Sequence, residues 1–233
     1  MSSLQFYLQV FIYSIVVVVA AFMAMTISKR DRTRLSETLF WFFIIIAVGT
    51  SFSVIVRLIN DLEFKNILII LVPVVVGCAI PQLTFFLLFI ERGAGSYSVA
   101  KQVVFSLIYF LLLVVLFFIP GGSTFEMDAT GSMQPAWSLG FMLYGCIVQQ
   151  ILFTYNIIIT GRIVKTMEDP EAKNKLKSVI LAIIIFDYIL LGTFVVNYIN
   201  HPMVRSIFAI TGLLVFVALF LLYNGLVKQF TKK

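Results

Sequence analysis

The 233-residue sequence is short of charge, of cysteine and of histidine, and each shortage narrows what the chain can be. Charged residues make up 12% of it, against about 25% in a typical soluble domain. With 61% of its residues hydrophobic, such a chain cannot cover its apolar surface with polar groups in water. The single histidine, His201, rules out bis-His haem ligation across a bundle, an HExxH zinc site and a Ser–His dyad within one. Two cysteines, Cys78 and Cys146, both fall within apolar stretches and share no CxxC spacing. They read as buried thiols rather than as an exposed disulfide, a redox pair or metal ligands. No lysine stands between Arg205 and Lys228, so the final apolar stretch offers no Schiff-base anchor for retinal. A phosphate-binding glycine loop is absent too. No catalytic residue, metal or cofactor is expected, and the chain is read as a non-enzyme.

What the sequence does have is long apolar runs. Seven of them, each about 18 to 24 residues, can cross a hydrocarbon core of about 30 Å as helices. They run over Leu4–Ile27, Leu39–Ile59, Ile67–Ile90, Gln102–Ile119, Trp137–Ile159, Val179–Tyr198 and Arg205–Leu226. Runs such as Val16–Val19 and Ile44–Ile46 would favour strands in water. Hydrocarbon offers backbone groups no partner, so each span must satisfy its own N–H and C=O groups, and helices are forced. The fold expected is an all-α membrane protein, a single seven-transmembrane-helix domain over residues 1–233. The first span has no basic residue before Leu4 and is followed by Lys29, Arg30, Arg32 and Arg34. That order fits a retained N-out anchor and not a cleaved signal peptide.

The basic residues are distributed very unevenly between the two sides. Fourteen of the seventeen lie after the first, third, fifth and seventh spans. Only Arg57, Lys65 and Arg205 lie on the opposite side. Under the positive-inside rule the N-terminus is outside and the C-terminus cytoplasmic, in the cell membrane. The net charge of +6 then serves orientation and contact with the lipid bilayer, and nucleic acid is not expected as a partner. Pro120–Ala136, rich in Gly, Ser and Thr, reads as a flexible exterior loop. Gly161–Ser178 mixes both charge signs and reads as a cytoplasmic extension of spans 5 and 6.

Candidate chemistry is confined to a few polar residues inside the spans. Asp187 is the only carboxylate deep in a span, and at mid-membrane it should face the bundle with a hydrogen-bond partner such as Gln149. It is either a proton- or ligand-linked site or a protonated packing residue. Gly145, Cys146, Gln149, Asn156 and Thr160 fall on one helical face, as interhelical glue or as the wall of a polar cavity. Pro73 and Pro81 should kink span 3 beside Gln82. Thr50, Ser53 and Arg57 align on span 2, where Arg57 captures an anionic ligand at an outer vestibule or snorkels to headgroups. The candidate ligand-binding set is therefore Asp187, Gln149, Asn156, Gln82 and Arg57. Spans 1 and 4 are almost wholly apolar and are left to face lipid or a second subunit.

The segment IPQLTFFLLFIERG, with Pro81, Phe85–Phe86 and Gly93, resembles the seven-helix sensor region at the N-terminus of many prokaryotic membrane histidine kinases. Trp41 and the closing ALFLLYNGLVK add to the likeness, which covers nearly the whole chain. The resemblance implies a receptor-like sensor that binds a small or lipidic ligand in its bundle. Because no kinase follows here, the signal is expected to pass to a separate protein partner. The Pro81–Gln82 pair also resembles that of PQ-loop transporters, but it occurs once and in span 3. An accessory subunit of a larger membrane complex, and then a small-solute transporter, are the alternatives.

Overall fold

The computed structural model describes residues 3–29, 33–59, 61–127 and 133–227. Arg30, Arg32, Lys228, Lys232 and Lys233, which entered the charge count, lie outside them. Among the described residues seven helical stretches are long and apolar enough to cross a membrane, one for each expected span. They are built from α1 (Ser3–Ser28), α2 (Arg34–Leu58), α3 (Leu62–Gly77) with α4 (Ala79–Arg92), and α5 (Val99–Val114) with a short 3₁₀ turn. α6 (Leu139–Thr166), α7 (Pro170–Ile199), and α8 (Pro202–Thr211) with α9 (Leu214–Leu222) complete the set.

Most helices start on a side chain that accepts one of the unpaired N–H groups of the first turn. Thr33 makes a reciprocal capping box with Ser36 at the head of α2. Asp61, Ser98, Ser138 and Asp169 cap α3, α5, α6 and α7. Asn200 ends α7 in the left-handed conformation at φ 48°. His201 then accepts the Met203 N–H at 3.3 Å, with Pro202 in the first turn of α8. The lone histidine is thus a helix cap. The expected extension of spans 5 and 6 is present, with only Met167–Asp169 left between α6 and α7.

Two spans are interrupted. Pro81 has no N–H to give the Gly77 carbonyl, so the third span breaks at Cys78, whose N–H reaches both Val74 O and Val75 O at 3.2 and 3.0 Å. The seventh breaks around Gly212, where the Leu213 N–H bonds Ile210 O at 3.1 Å, three residues back instead of four.

α2 packs on α1, α3 and α4; α6 packs on α4 and α7; α9 closes against α7. Glycines admit aromatic rings at two of these contacts. A Cβ on Gly145 would overlap the Phe194 ring, and one on Gly192 would overlap Phe208. Phe194 in turn stacks with Trp137 and Phe141, at centroid distances of 4.9 and 5.9 Å. Large apolar side chains face outward along the spans, with Phe11, Phe22, Ile151 and Phe220 all more than half exposed. Lipid tails are as apolar as leucine, so such a surface suits a bilayer. The chain has the architecture of a multi-pass helical membrane protein.

The helical bundle agrees with the expected all-α fold, and the reading that needs correcting is the loop Pro120–Ala136. Instead of a flexible loop, β1 (Ser123–Met127) and β2 (Met133–Trp137) pair antiparallel, from Ser123 opposite Trp137 to Met127 opposite Met133. Gln134, Ala136 and Trp137 are buried, so side chains turned onto the helix ends hold the hairpin in place. Residues 128–132, between the two strands in sequence, lie outside the described residues.

Candidate functional site

Beneath the hairpin, a cavity of about 760 Å³ runs into the bundle, lined by α1, α2, α3, α7 and α8 and, further from the hairpin, by α4, α6 and α9. That size falls within the roughly 300–1,000 Å³ typical of small-molecule sites. The body of the cavity is apolar, walled by residues such as Ile46, Ile69, Leu83, Phe153 and Ile183. Its polar lining includes Thr50, Ser53 and Thr193. At the hairpin end stand Arg57, Lys65 and Arg205, with Tyr13, Gln134 and Asn197. No aspartate or glutamate is among the described residues that line it. Both interrupted spans border it, through Ala79 and through Gly212.

The three cations are held differently. Arg57 lies over the Tyr13 ring, 5.3 Å from its centroid, which fixes a guanidinium against an aromatic face. Arg205 is the centre of a network. It donates to Asn197 Oδ1 at 3.1 Å, to Asn200 Oδ1 at 2.9 Å, to Gln134 Oε1 at 3.4 Å and, closely, to the Pro135 carbonyl. It thereby ties the hairpin to α7 and α8. Lys65 makes no ion pair among the described residues and presents its ammonium from the first turn of α3.

Of the five residues singled out in the sequence, Arg57 alone lines this cavity, together with its face-mates Thr50 and Ser53. Gln82 instead joins α4 to α5. Its Oε1 accepts from Gln102 at 3.1 Å and its Nε2 donates to Ser106 at 3.3 Å. Gln149 and Asn156 are wholly buried on α6, and their amide atoms have no hydrogen-bond partner among the described residues. Asp187 is only half-buried. It accepts from Gln150 at 3.2 Å, a residue next to the expected Gln149, and it stays out of the cavity. Phe186, Ile189 and Leu190 take the cavity side of α7, and one residue along a helix is a rotation of about 100°. The five therefore do not form one site. Span 1, expected to face lipid, contributes Gln9, Ile12, Tyr13 and Val16 to the cavity. α5, in span 4, is the outlying helix, with Val103, Leu107, Ile108 and Leu111 all exposed.

Lys65 and Arg205 were the residues missed. The signal was present in the charge count, since Arg57, Lys65 and Arg205 are the only three basic residues on their side. That count served to orient the chain. The cavity brings all three to one mouth, which no spacing along the sequence encodes.

No family model matches the chain, and no curated protein matches it.

Proposed function

We propose that the protein is a receptor-like protein of the cell membrane, oriented with its N-terminus outside and its C-terminus in the cytoplasm, that takes a ligand into its bundle from the outer side. Binding shifts the helices around the cavity, and a separate cytoplasmic partner reads the shift. The observation that carries this reading is the cavity of about 760 Å³ at the hairpin end of the bundle. In the orientation given by the fourteen-to-three charge split, that end faces outward. Binding without turnover is favoured because the lining contains no carboxylate, histidine or cysteine among the described residues. The resemblance to histidine-kinase sensor regions points the same way.

The test is a gentle-detergent pull-down from native membranes, run with the wild type and with Ser53→Trp, which fills the cavity. A stoichiometric cytoplasmic signalling protein whose recovery changes with Ser53→Trp supports the reading. Recovery in a large stable membrane assembly, indifferent to Ser53→Trp, would replace it with the accessory-subunit reading. Transport is the second reading with a specific observation behind it, since both interrupted spans border the cavity. Broken helices around a central site are a transporter feature.

A further inference from the structure

We infer that the occupant of the cavity is a single-chain anionic amphiphile, with its carboxylate or phosphate head at Arg57, Lys65 and Arg205 and its hydrocarbon tail in the apolar body below. The inference rests on the reading of the cavity as a ligand site and gives that ligand a chemistry.

The lining is divided by chemistry along its length. Toward the hairpin stand three cationic side chains from three different helices, α2, α3 and α8, with no acidic residue in the lining among those described. Away from the hairpin the walls are aliphatic and aromatic, from Ile46 on α2 to Phe153 on α6 and Leu222 on α9. Three cations around one opening repel one another and favour an anion there. The Arg57 guanidinium suits carboxylate or phosphate in particular, because planar donors match two oxygens at once, whereas Arg205, whose terminal N–H groups go to Asn197, Asn200, Gln134 and Pro135, contributes its charge. An apolar channel below such a head takes the methylenes of a tail out of water, so a long tail adds affinity that a free anion lacks.

Two other occupants fit less well. A small hydrophilic anion would leave the apolar body in contact with water. A cationic amphiphile would bring its head against all three basic residues. The size argues for one chain, because about 760 Å³ matches one drug-sized molecule, and a second tail would have to lie outside. The three cations also lie on the side that carries only three basic residues in all, so their meeting at one opening is not a by-product of a generally basic surface.

The experiment uses the full chain in phosphatidylcholine nanodiscs. It is titrated separately with palmitate, hexadecyl phosphate, hexadecanol, hexadecyltrimethylammonium and dipalmitoylphosphatidylglycerol, and thermal unfolding is followed. Palmitate and hexadecyl phosphate should raise the midpoint by about 3 °C or more near saturation, and the alcohol and the ammonium should not. Lys65→Glu, at a half-exposed site without an ion pair among the described residues, should weaken palmitate binding about tenfold or more, with Lys65→Gln intermediate. Equal stabilisation by hexadecanol, with no effect of Lys65→Glu, would overturn the anionic head and leave the cavity reading standing. Stabilisation by the two-chain lipid equal to that by palmitate would overturn the single chain. If no amphiphile stabilises the wild type and Ser53→Trp leaves every titration unchanged, the cavity reading fails as well.

Discussion

At the scale of single residues, the structure separates glycines and amides that carry packing from those that do not. Gly145 and Gly192 are occupied by the rings of Phe194 and Phe208, whereas Gly161 has nothing within 4 Å of where its Cβ would stand. Gly145→Ala should therefore destabilise by about 1–3 kcal/mol through overpacking, while Gly161→Ala, in the same helix α6, should be neutral or slightly stabilising. Thermal unfolding of the two variants side by side checks this. Gln149 gives the opposite case. It is wholly buried and its amide is unpartnered among the described residues. An unmade buried hydrogen bond costs about 1–3 kcal/mol, so Gln149→Met should hold or raise the unfolding midpoint. A fall of several degrees would mean that the amide has a partner. Asp187 marks what the sequence could tell at this scale. That it would be hydrogen-bonded to an amide on the fifth span was legible from the cost of an unpaired acid in a bilayer. Which amide, and which face, depended on a helix rotation that an almost uniformly apolar span leaves unspecified.

At the scale of elements, the hairpin is where sequence reading and structure part most. Gly121, Gly122, Ser123 and Thr124 read as loop chemistry, and the pairing from Ser123 to Trp137 is held by contacts distant in sequence. Trp137 packs against both Phe141 and Phe194, and Arg205 binds Gln134 and the Pro135 carbonyl from α8. No local pattern announces either contact. The kink of span 3 was legible, because proline acts on its own helix. Hydrogen bonds from a charged donor contribute about 1.5–3 kcal/mol. Arg205→Ala should therefore free the hairpin, and hydrogen exchange at the Thr124 and Glu126 amides, which face β2 in the register, should rise at least about tenfold, since about 1.4 kcal/mol corresponds to a factor of ten. Unchanged exchange would show that Trp137 alone holds the hairpin in place.

At the scale of the whole molecule, the presence of seven long apolar helices was legible, because bilayer thickness and backbone satisfaction leave no other structure open to such runs, whereas their ends, such as the start of α7 at Pro170, were not. The cavity was not, since it is made by residues of eight helices and the hairpin that lie far apart in the sequence. Orientation and cavity together make the account's central claim, an outward-facing site with a cationic mouth. Orientation has its own check. Lys173→Cys, near the start of α7, should resist an impermeant thiol reagent in intact cells and react after permeabilisation. Cys78→Ser and Cys146→Ser remove the native thiols for this purpose.

The same background allows the most direct measurement of all, the reactivity of Ser53→Cys inside the cavity toward two impermeant methanethiosulfonates of similar size and opposite charge, applied from outside. Arg57, Lys65 and Arg205 should make the anionic reagent react several-fold faster than the cationic one. The ratio should fall toward one in high salt and in Lys65→Gln. A thiol at that position that reacts only from the cytoplasmic side, or that prefers the cationic reagent, would contradict the account.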